Sequence, residues 1–324
     1  MKLVVHMSDP PEAGYRATLQ RVAGDEVEIT LGPELPSSPH YSILVSGRPT
    51  VEELTASLEI QSLIIPWAGL PVKTRELMLQ YPQVAVHNIH YNGIATAEMA
   101  VTLMLSACKF VVPMDRKLRQ GDWTMRYEDD PTLQLHSKSV IVLGYGAIGR
   151  HVVTVCRALG MRVTAVGRRA GQVGADGTRV YPVGQLPRFL PHAEVVVVAL
   201  PLTPETRGLL GPEQLALMPS KAVLVNVGRG PVVDEAALYH ALESGKLFAA
   251  GLDVWYEYPK DGAIDCTLPS KYPFHELDNV VMSPHRGGDN SESEPQRMRH
   301  LAVLLRSAAA GDEMPNRVDV ERGY

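Results

Sequence analysis

A strand, a glycine turn, a helix and a second strand follow one another between residues 139 and 169, and this unit constrains the fold most. Val140 to Leu143 is a short, β-branched apolar run that is typical of a buried parallel strand. The hexapeptide GYGAIG follows at once, then a helical pattern ended by Gly160, and then a strand from Arg162 to Val166. In this context the G-x-G-x-x-G pattern predicts a dinucleotide-binding turn.

Each glycine of this turn has its own physical task. Gly144 allows the tight turn, Gly146 lets the backbone approach a pyrophosphate, and Gly149 lets the helix pack closely on the sheet. The helix N-terminus offers N–H groups and a partial positive charge to the phosphates. We therefore expect cofactor contacts from Gly144, Gly146, Ala147, Ile148 and Gly149. The alternative is a glycine-rich turn that binds no ligand.

The end of the second strand indicates which dinucleotide is preferred. NAD sites usually place Asp or Glu there, bonded to the ribose 2′-hydroxyl, whereas Arg suits the 2′-phosphate of NADP. Here Gly167 is followed by Arg168 and Arg169, with no acid to repel a phosphate. We predict a preference for NADP(H), with NAD as the alternative cofactor. The alternative explanation is that both arginines are solvated residues of a loop and bind no phosphate.

Length and charge exclude several classes of protein. The chain has 324 residues, enough for two domains, and its net charge of −5 suggests no nucleic-acid partner. No apolar run approaches the roughly 18 residues of a membrane span, and the N-terminus reaches Asp and Pro too soon for a signal peptide. The three cysteines, Cys108, Cys156 and Cys266, fit neither a metal site nor a disulfide framework. We expect a cytoplasmic protein without a metal.

The order of predicted elements gives an α/β fold with two doubly wound parallel sheets. Residues 1 to about 95 alternate strands and helices without a glycine fingerprint, and about six more strands follow from residue 139. After Pro284 the chain turns polar and then forms one helix, from Arg297 to Ala310. We expect this tail to return to the first domain. Residues 1–98 and 289–324 would form a smaller, flavodoxin-like substrate domain, and residues 99–288 an inserted Rossmann domain, with a cleft between them.

A long helix is predicted from Thr96 to Arg119, with a kink at Pro113. Its apolar face could pack in the core or form a dimer contact.

Polar or glycine-rich segments follow four of the predicted strands, where open α/β sheets bind their ligands. They begin at Leu200, Asn226, Asp253 and Ser283. With GYGAIG, the motifs LPLTPETRG, NVGRGPVVDEAAL, GLDVW and SPH make the chain similar, over nearly its whole length, to the D-isomer-specific 2-hydroxyacid dehydrogenases. That group includes D-lactate, D-glycerate, phosphoglycerate and formate dehydrogenases and glyoxylate/hydroxypyruvate reductases. The resemblance implies the two-domain fold and metal-free hydride transfer.

The resemblance implies catalytic roles for Arg229 and His285. Arg229 would hold the substrate carboxylate and polarise the ketone. His285 would donate the proton in reduction and accept it in oxidation.

The partner of His285 is where the sequence departs from the family. Relatives usually have Glu five residues after the Asp of GLDV, but counting from Asp253 that position is Tyr258. We expect the adjacent Glu257 to reach His285 through a shift in the loop register. If the register does not shift, the pair of Glu and His that relatives have is absent. Tyr258, Asp261 and Asp265 are the further candidates.

The resemblance also implies binding positions. Trp67, Ala68 and Gly69 match a loop whose N–H groups bind the substrate carboxylate. The remaining cofactor-binding positions are Thr96 near a phosphate, Pro201 and Thr206 on the adenine side, and Val227, Gly228, Asp253 and Gly287.

The sequence thus predicts an NADP(H)-preferring oxidoreductase for a small 2-oxo or 2-hydroxy acid of the D-isomer. Glyoxylate or hydroxypyruvate is the expected substrate class, and a homodimer the expected assembly, as in relatives. One alternative is a formate- or phosphite-type dehydrogenase, although no extra anion-binding residues are identified. Another is a dinucleotide-sensing, corepressor-like binding protein, favoured by the displaced Glu and opposed by Arg229 and His285.

Overall fold

Short apolar runs build two separate parallel sheets. The computed structural model describes residues 2–128, 132–168, 171, 173–260 and 264–324. The chain divides into one unit of residues 1–92 and 289–324 and a second unit of residues 93–288. The predicted boundary at residue 98 falls inside a helix that begins at Gly93, so the second unit starts earlier than the sequence suggested.

The first unit is a five-stranded parallel sheet in the order β2-β1-β3-β4-β5, the flavodoxin-like order. Alternate strand residues enter two apolar clusters, one on each face of the sheet. The last helix of the chain, α10, packs with α1 in one of these clusters. The elements are β1 (Leu3–Met7), α1 (Ala13–Ala23), β2 (Val27–Leu31), β3 (Ile43–Val45), α2 (Val51–Ala56), β4 (Ser62–Ile65), α3 (Val72–Met78), β5 (Ala85–Asn88) and α10 (Ser293–Ala309).

The second unit is a seven-stranded parallel sheet in the order β12-β11-β10-β9-β6-β7-β8. The strand order reverses between β6 and β9, which is the dinucleotide-binding arrangement of doubly wound sheets. The elements are α4 (Gly93–Lys109), α5 (Val111–Leu118), β6 (Ser139–Leu143), α6 (Ala147–Ala158), β7 (Arg162–Val166), β8 (Val180–Tyr181), α7 (Leu186–Phe189), β9 (Val195–Val198), α8 (Pro212–Leu217), β10 (Ala222–Asn226), α9 (Glu235–Glu243), β11 (Leu247–Leu252) and β12 (Val280–Met282). The two-residue β8 has too weak a pattern for sequence reasoning to detect.

The long helix predicted from Thr96 to Arg119 is two helices, and the prediction of a kink at Pro113 is wrong. Phe110 breaks the helix because its backbone is left-handed, with φ of 50°, and α4 and α5 are bent by 62°. Its ring packs edge-on against Phe248, with 5.1 Å between ring centroids. Pro113 lies in the first turn of α5, where a missing N–H breaks no helical hydrogen bond.

Within the described part of the chain, no single helix is both long and apolar enough to cross a membrane, and only the bent pair of α4 and α5 reaches that length and composition.

Candidate active site

The carboxyl ends of neighbouring strands meet at one edge of the second sheet. Val198 of β9 pairs with Leu143 of β6 and with Asn226 of β10. Asn226 pairs in turn with Leu252 of β11, which pairs with Met282 of β12. The segments that follow these strands therefore leave the sheet at the same level, where open α/β sheets bind ligands.

The glycine turn after β6 has the geometry expected of a phosphate cradle. Gly144 has φ of +101°, and a Cβ atom there would lie 2.6 Å from the carbonyl oxygen of Ala199. A Cβ atom at Gly149 would lie 1.8 Å from the Gly144 carbonyl oxygen, so only glycine permits this packing. By contrast, a Cβ atom at Gly146 would meet nothing within 4 Å. Gly146 therefore borders open space at the start of α6, and the N-terminus of a helix is a position that suits phosphate groups.

The start of α4 lies against this cradle. A Cβ atom at Gly93 would be 3.0 Å from the Cβ of Ala147, the first residue of α6. Thr96 is buried one turn further along α4. This packing brings Thr96, Ala147 and Ile148 into one region of the second unit.

The end of β7 carries no acid in its described residues. Gly167 is buried and Arg168 is exposed, while Arg169 lies outside the described residues. Asp176, further along this loop, is an acid for which the sequence predicted no role. It accepts a 2.6 Å hydrogen bond from the hydroxyl of Tyr145 and forms an ion pair with Arg157 at 3.0 Å.

Hydrogen bonds from Thr178 and Tyr145, with the charge of Arg157 adding to them, lower the pKa of Asp176 to about 2. The loop after β7 is thereby fastened to the glycine turn through Tyr145.

The loop after β9 is closed by its threonines. Thr206 donates its hydroxyl to the carbonyl oxygen of Pro201 at 2.7 Å, and its Oγ1 accepts the backbone N–H of Thr203. The structure thus brings the two predicted adenine-side positions together.

The turn after β10 fixes Arg229. The buried Asn226 accepts the N–H of Gly228 at 3.0 Å and donates its amide to the Arg229 carbonyl oxygen at 3.0 Å. Val227 is bonded to the Val198 carbonyl oxygen, and a Cβ atom at Gly228 would lie 2.5 Å from the Leu200 carbonyl oxygen. Asn226 is a residue that fixes this turn and that the sequence did not single out, although its place at a strand end, two residues before a glycine, was a usable signal.

The guanidinium of Arg229 is partly buried and lacks an anionic partner among the residues that the structure describes. Its one side-chain hydrogen bond within that part of the chain is from Nη1 to the carbonyl oxygen of Gly228, at 2.6 Å. Burial lowers the pKa of Arg229, against the opposing influence of Tyr258. Arginine presents five N–H donors in a planar fork, so the group retains donors that suit a carboxylate.

Asp253 holds the loop after β12 with both carboxylate oxygens. Oδ1 accepts the hydroxyl of Ser283 at 2.7 Å and the N–H of Arg286 at 2.9 Å, and Oδ2 accepts the N–H of Gly287 at 3.0 Å. The indole of Trp255 adds a bond to the Ser283 carbonyl oxygen at 2.8 Å. The structure therefore gives Asp253 and Gly287 a structural task, and their predicted contact with the cofactor stays a prediction.

His285 lies at the tip of this loop in a left-handed backbone conformation, with φ of 59°. Such a conformation is uncommon for a residue other than glycine, and it persists where the surroundings enforce it. The bonds to Asp253 on either side of His285 provide that enforcement.

Tyr258, rather than Glu257, contacts His285. The Tyr258 hydroxyl oxygen lies 3.0 Å from His285 Nδ1. Glu257 is exposed, and its one hydrogen bond among the described residues runs from its backbone N–H to the Pro269 carbonyl oxygen. The loop register that would bring Glu257 to the imidazole is therefore not the one adopted. Asp265 is exposed as well, and Asp261 lies outside the described residues.

The predicted carboxylate loop belongs to the first unit and follows β4. The N–H groups of Ala68 and Gly69 have no hydrogen-bond partner among the described residues, while the Ala68 carbonyl oxygen accepts the Asn88 amide at 2.7 Å. The Trp67 ring occupies the space that a Cβ atom of Gly47 would need. A cavity of about 560 Å³ adjoins this ring, at the carboxyl ends of the strands, and Ser46 and Arg48 help to line it.

The family to which these two units belong follows from comparison with known proteins. Residues 101–287 match the description "D-isomer specific 2-hydroxyacid dehydrogenase, NAD binding domain". The chain belongs to the D-isomer specific 2-hydroxyacid dehydrogenase family. This result agrees with the resemblance carried by the GYGAIG, NVGRG, GLDVW and SPH motifs.

Members of the 2-hydroxyacid dehydrogenase family with different names are similar to this chain. A glyoxylate reductase of Aeropyrum pernix is 35% identical over 233 residues, which are 70% of this chain and 67% of that protein. A D-3-phosphoglycerate dehydrogenase of Archaeoglobus fulgidus is 32% identical over 312 residues, 93% of this chain and 56% of that protein. The chain spans about half the length of the curated phosphoglycerate dehydrogenases that it matches.

A solved family structure has the same fold over the whole chain. A D-isomer specific 2-hydroxyacid dehydrogenase from Xanthobacter autotrophicus Py2, in complex with NADPH and MES, has a TM-score of 0.79 and 27% identity. The match covers 100% of this chain and 99% of that one. The two parallel-sheet α/β units are therefore the 2-hydroxyacid dehydrogenase fold, as predicted.

Proposed function

We propose that this chain is an NADP(H)-preferring oxidoreductase that interconverts a small 2-oxo acid and its D-2-hydroxy acid. The observation that carries the proposal is Arg229. Its partly buried guanidinium has no carboxylate partner among the described residues. Arg229 follows β10, which lies two strands from β6, the strand before the glycine turn, and two strands from β12, the strand before His285. A substrate carboxylate would satisfy its remaining donors.

The glycine turn and the strand ends fit a nicotinamide dinucleotide. Gly144, Gly146 and Gly149, with Ala147 and Ile148, would hold the pyrophosphate at the start of α6, with Thr96 beside them. Pro201 and Thr206 would line the adenine side, and Val227, Gly228, Asp253 and Gly287 the nicotinamide side. When bound, the reduced nicotinamide supplies a hydride to the carbonyl carbon.

Two side chains of the second unit then act on the carbonyl group of the substrate. Arg229 binds the carboxylate and polarises the ketone, so that negative charge developing on oxygen is stabilised. His285 delivers a proton to that oxygen. Carbon gains the hydride and oxygen gains the proton, which gives the 2-hydroxy acid; the reverse reaction returns both.

The first unit would supply the remaining contacts to the substrate. The N–H groups of Ala68 and Gly69, unpaired in the described part of the chain, can donate to the carboxylate. Trp67 and the adjoining cavity of about 560 Å³ have room for a short substrate chain. Glyoxylate and hydroxypyruvate are the substrates we infer first, since similar proteins are named glyoxylate reductase.

The preference for NADP(H) rests on the loop after β7. Gly167 and Arg168 stand where NAD enzymes carry an acid, and Arg169 follows in the sequence. The nearby Asp176 is already paired with Arg157, so its charge is largely compensated. A relative 27% identical to this chain was solved with NADPH.

A dimer, a cytoplasmic location and the absence of nucleic-acid and membrane partners stay predictions.

The proposal is tested by following NADPH oxidation, with NADH in parallel, against glyoxylate, hydroxypyruvate, pyruvate and 3-phosphohydroxypyruvate. We expect turnover of glyoxylate and hydroxypyruvate with NADPH. Binding of either nucleotide, seen by fluorescence, without turnover of any oxo acid would favour a dinucleotide-sensing binding protein. Oxidation of formate or phosphite in the same assay would favour the small-anion dehydrogenases.

A further inference from the structure

The hydroxyl group of Tyr258 lies between two nitrogen atoms. Its oxygen is 3.1 Å from the backbone nitrogen of Trp255 and 3.0 Å from Nδ1 of His285. The backbone N–H of Trp255 can only donate, so it occupies a lone pair of the phenol oxygen. The phenol proton is then available to the imidazole nitrogen.

Tyr258 stays a neutral partner. Burial raises the pKa of the phenol, and the nearby charges of Arg229 and Asp253 act on it in opposite directions. The group therefore remains protonated at neutral pH and brings no negative charge to His285.

Tyr258 and His285 share one supporting frame. Trp255 binds Tyr258 through its backbone N–H and binds the Ser283 carbonyl oxygen through its indole. Asp253 fixes Ser283, Arg286 and Gly287 around the left-handed residue. The distance between the phenol and the imidazole is thus set by buried groups, although Tyr258 itself is 41% exposed.

We propose that Tyr258 is a positioning residue for His285, in the place where relatives carry Glu; this rests on the proposed function, in which His285 transfers a proton. In the neutral ring, Tyr258 donates to Nδ1, which places the ring proton on Nε2. In the protonated ring, Nδ1–H donates to the phenol oxygen. The contact keeps the ring in one orientation through both states.

A neutral partner has a measurable consequence. A carboxylate beside an imidazole favours the charged ring and raises its pKa by about 1–3 units, whereas a phenol only donates or accepts a hydrogen bond. The charges of Arg229 and Asp253 act on Tyr258 itself, and Asp253 binds the backbone N–H of Arg286, the residue after His285. Replacing Tyr258 by Glu should therefore shift the titration of His285 upward.

The experiment is an NMR titration of ¹⁵N-histidine-labelled protein without nucleotide, in which His285→Gln identifies the ring signals of His285. We expect the Nε2–H tautomer of His285 in the unsubstituted protein. In Tyr258→Phe we expect a changed Nδ1 signal and a mixture of the two tautomers. In Tyr258→Glu the pKa of His285 should be higher by about 1–3. Tyr256→Phe is the matched control, because the Tyr256 hydroxyl donates to the Val233 carbonyl oxygen. It should leave the His285 signals unchanged.

Turnover completes the test. Tyr258→Phe should lower kcat at least about 10-fold and shift the pH profile, with little change in the KM for NADPH. Unchanged ring signals in Tyr258→Phe, or changed signals with an unchanged kcat and pH profile, would overturn the proposal. If no oxo acid is turned over at all, the proposed function fails, whereas the ring signals still decide whether Tyr258 sets the tautomer.

Discussion

Gly287 donates its backbone N–H to Oδ2 of Asp253 over 3.0 Å, and a Cβ atom at Gly287 would lie 2.6 Å from that same oxygen. The Asp253 carboxylate, which is only 1% exposed, thus holds the loop that contains His285. A histidine that is held in a left-handed backbone conformation depends on such support.

Asp253→Asn should therefore weaken both stability and activity. One carboxylate oxygen becomes an NH₂ group that faces a backbone donor, so a buried N–H loses its acceptor, at a cost of about 1–3 kcal/mol in the free energy of unfolding. Urea unfolding measures this, and kcat for 2-oxo acid reduction should fall with it. Asp278→Asn is the control, since Asp278 forms an exposed ion pair with Arg116 and should cost less than about 0.5 kcal/mol. Equal losses in both variants would contradict the role of Asp253.

Replacing two glycines of the cradle by alanine should have different effects, one on thermal stability and the other on NADPH binding. Gly149→Ala forces a Cβ atom against the Gly144 carbonyl oxygen, at 1.8 Å, so we expect a lower melting temperature without nucleotide. Gly146→Ala adds a methyl group to open space, so the melting temperature should stay near its original value while NADPH binding weakens at least about 10-fold. Thermal unfolding and a fluorescence titration separate the two effects. Tight NADPH binding by Gly146→Ala would show that phosphate does not approach there.

Much of this cradle could be predicted from sequence because its information is local. Glycines that need a special backbone or close packing follow a buried strand, and parallel strand ends meet at one edge wherever the sheet places them. The break at Phe110 could not be predicted in this way. Phenylalanine has no preference for a left-handed backbone, and the conformation depends on packing against Phe248, which is distant in sequence. The same limit applies to Tyr258, whose contact with His285 depends on the path of the intervening loop.

Arg168 should contribute to the choice between the two dinucleotides. Arg168→Glu places an acid beside the expected 2′-phosphate, so the ratio of kcat/KM for NADPH over that for NADH should fall at least about 10-fold. Arg162→Glu, on the exposed start of β7, is the charge-matched control. An unchanged ratio in Arg168→Glu would mean that this loop does not contact the 2′-phosphate.

The fastening of the loop after β7 should depend on pH. The pKa of Asp176 is lowered to about 2 in the folded protein, below the value of about 3.9 for an unperturbed Asp. Its stabilising contribution is therefore complete above about pH 5 and is lost progressively as the pH falls toward 2. The difference in unfolding free energy between the unsubstituted protein and Asp176→Asn should shrink from pH 6 to pH 3. A difference that stays constant across this range would rule out the ionised carboxylate as its source.

Arg229 offers the most direct test of the proposed reaction, through the rate of NADPH oxidation with glyoxylate or hydroxypyruvate. We predict that Arg229→Ala lowers kcat/KM at least about 100-fold, that Arg229→Lys recovers only part of it because the ammonium cannot form two parallel bonds, and that both variants still bind NADPH. An Arg229→Ala protein that reduces the oxo acid at close to the original rate would contradict the assignment of this guanidinium to the substrate carboxylate.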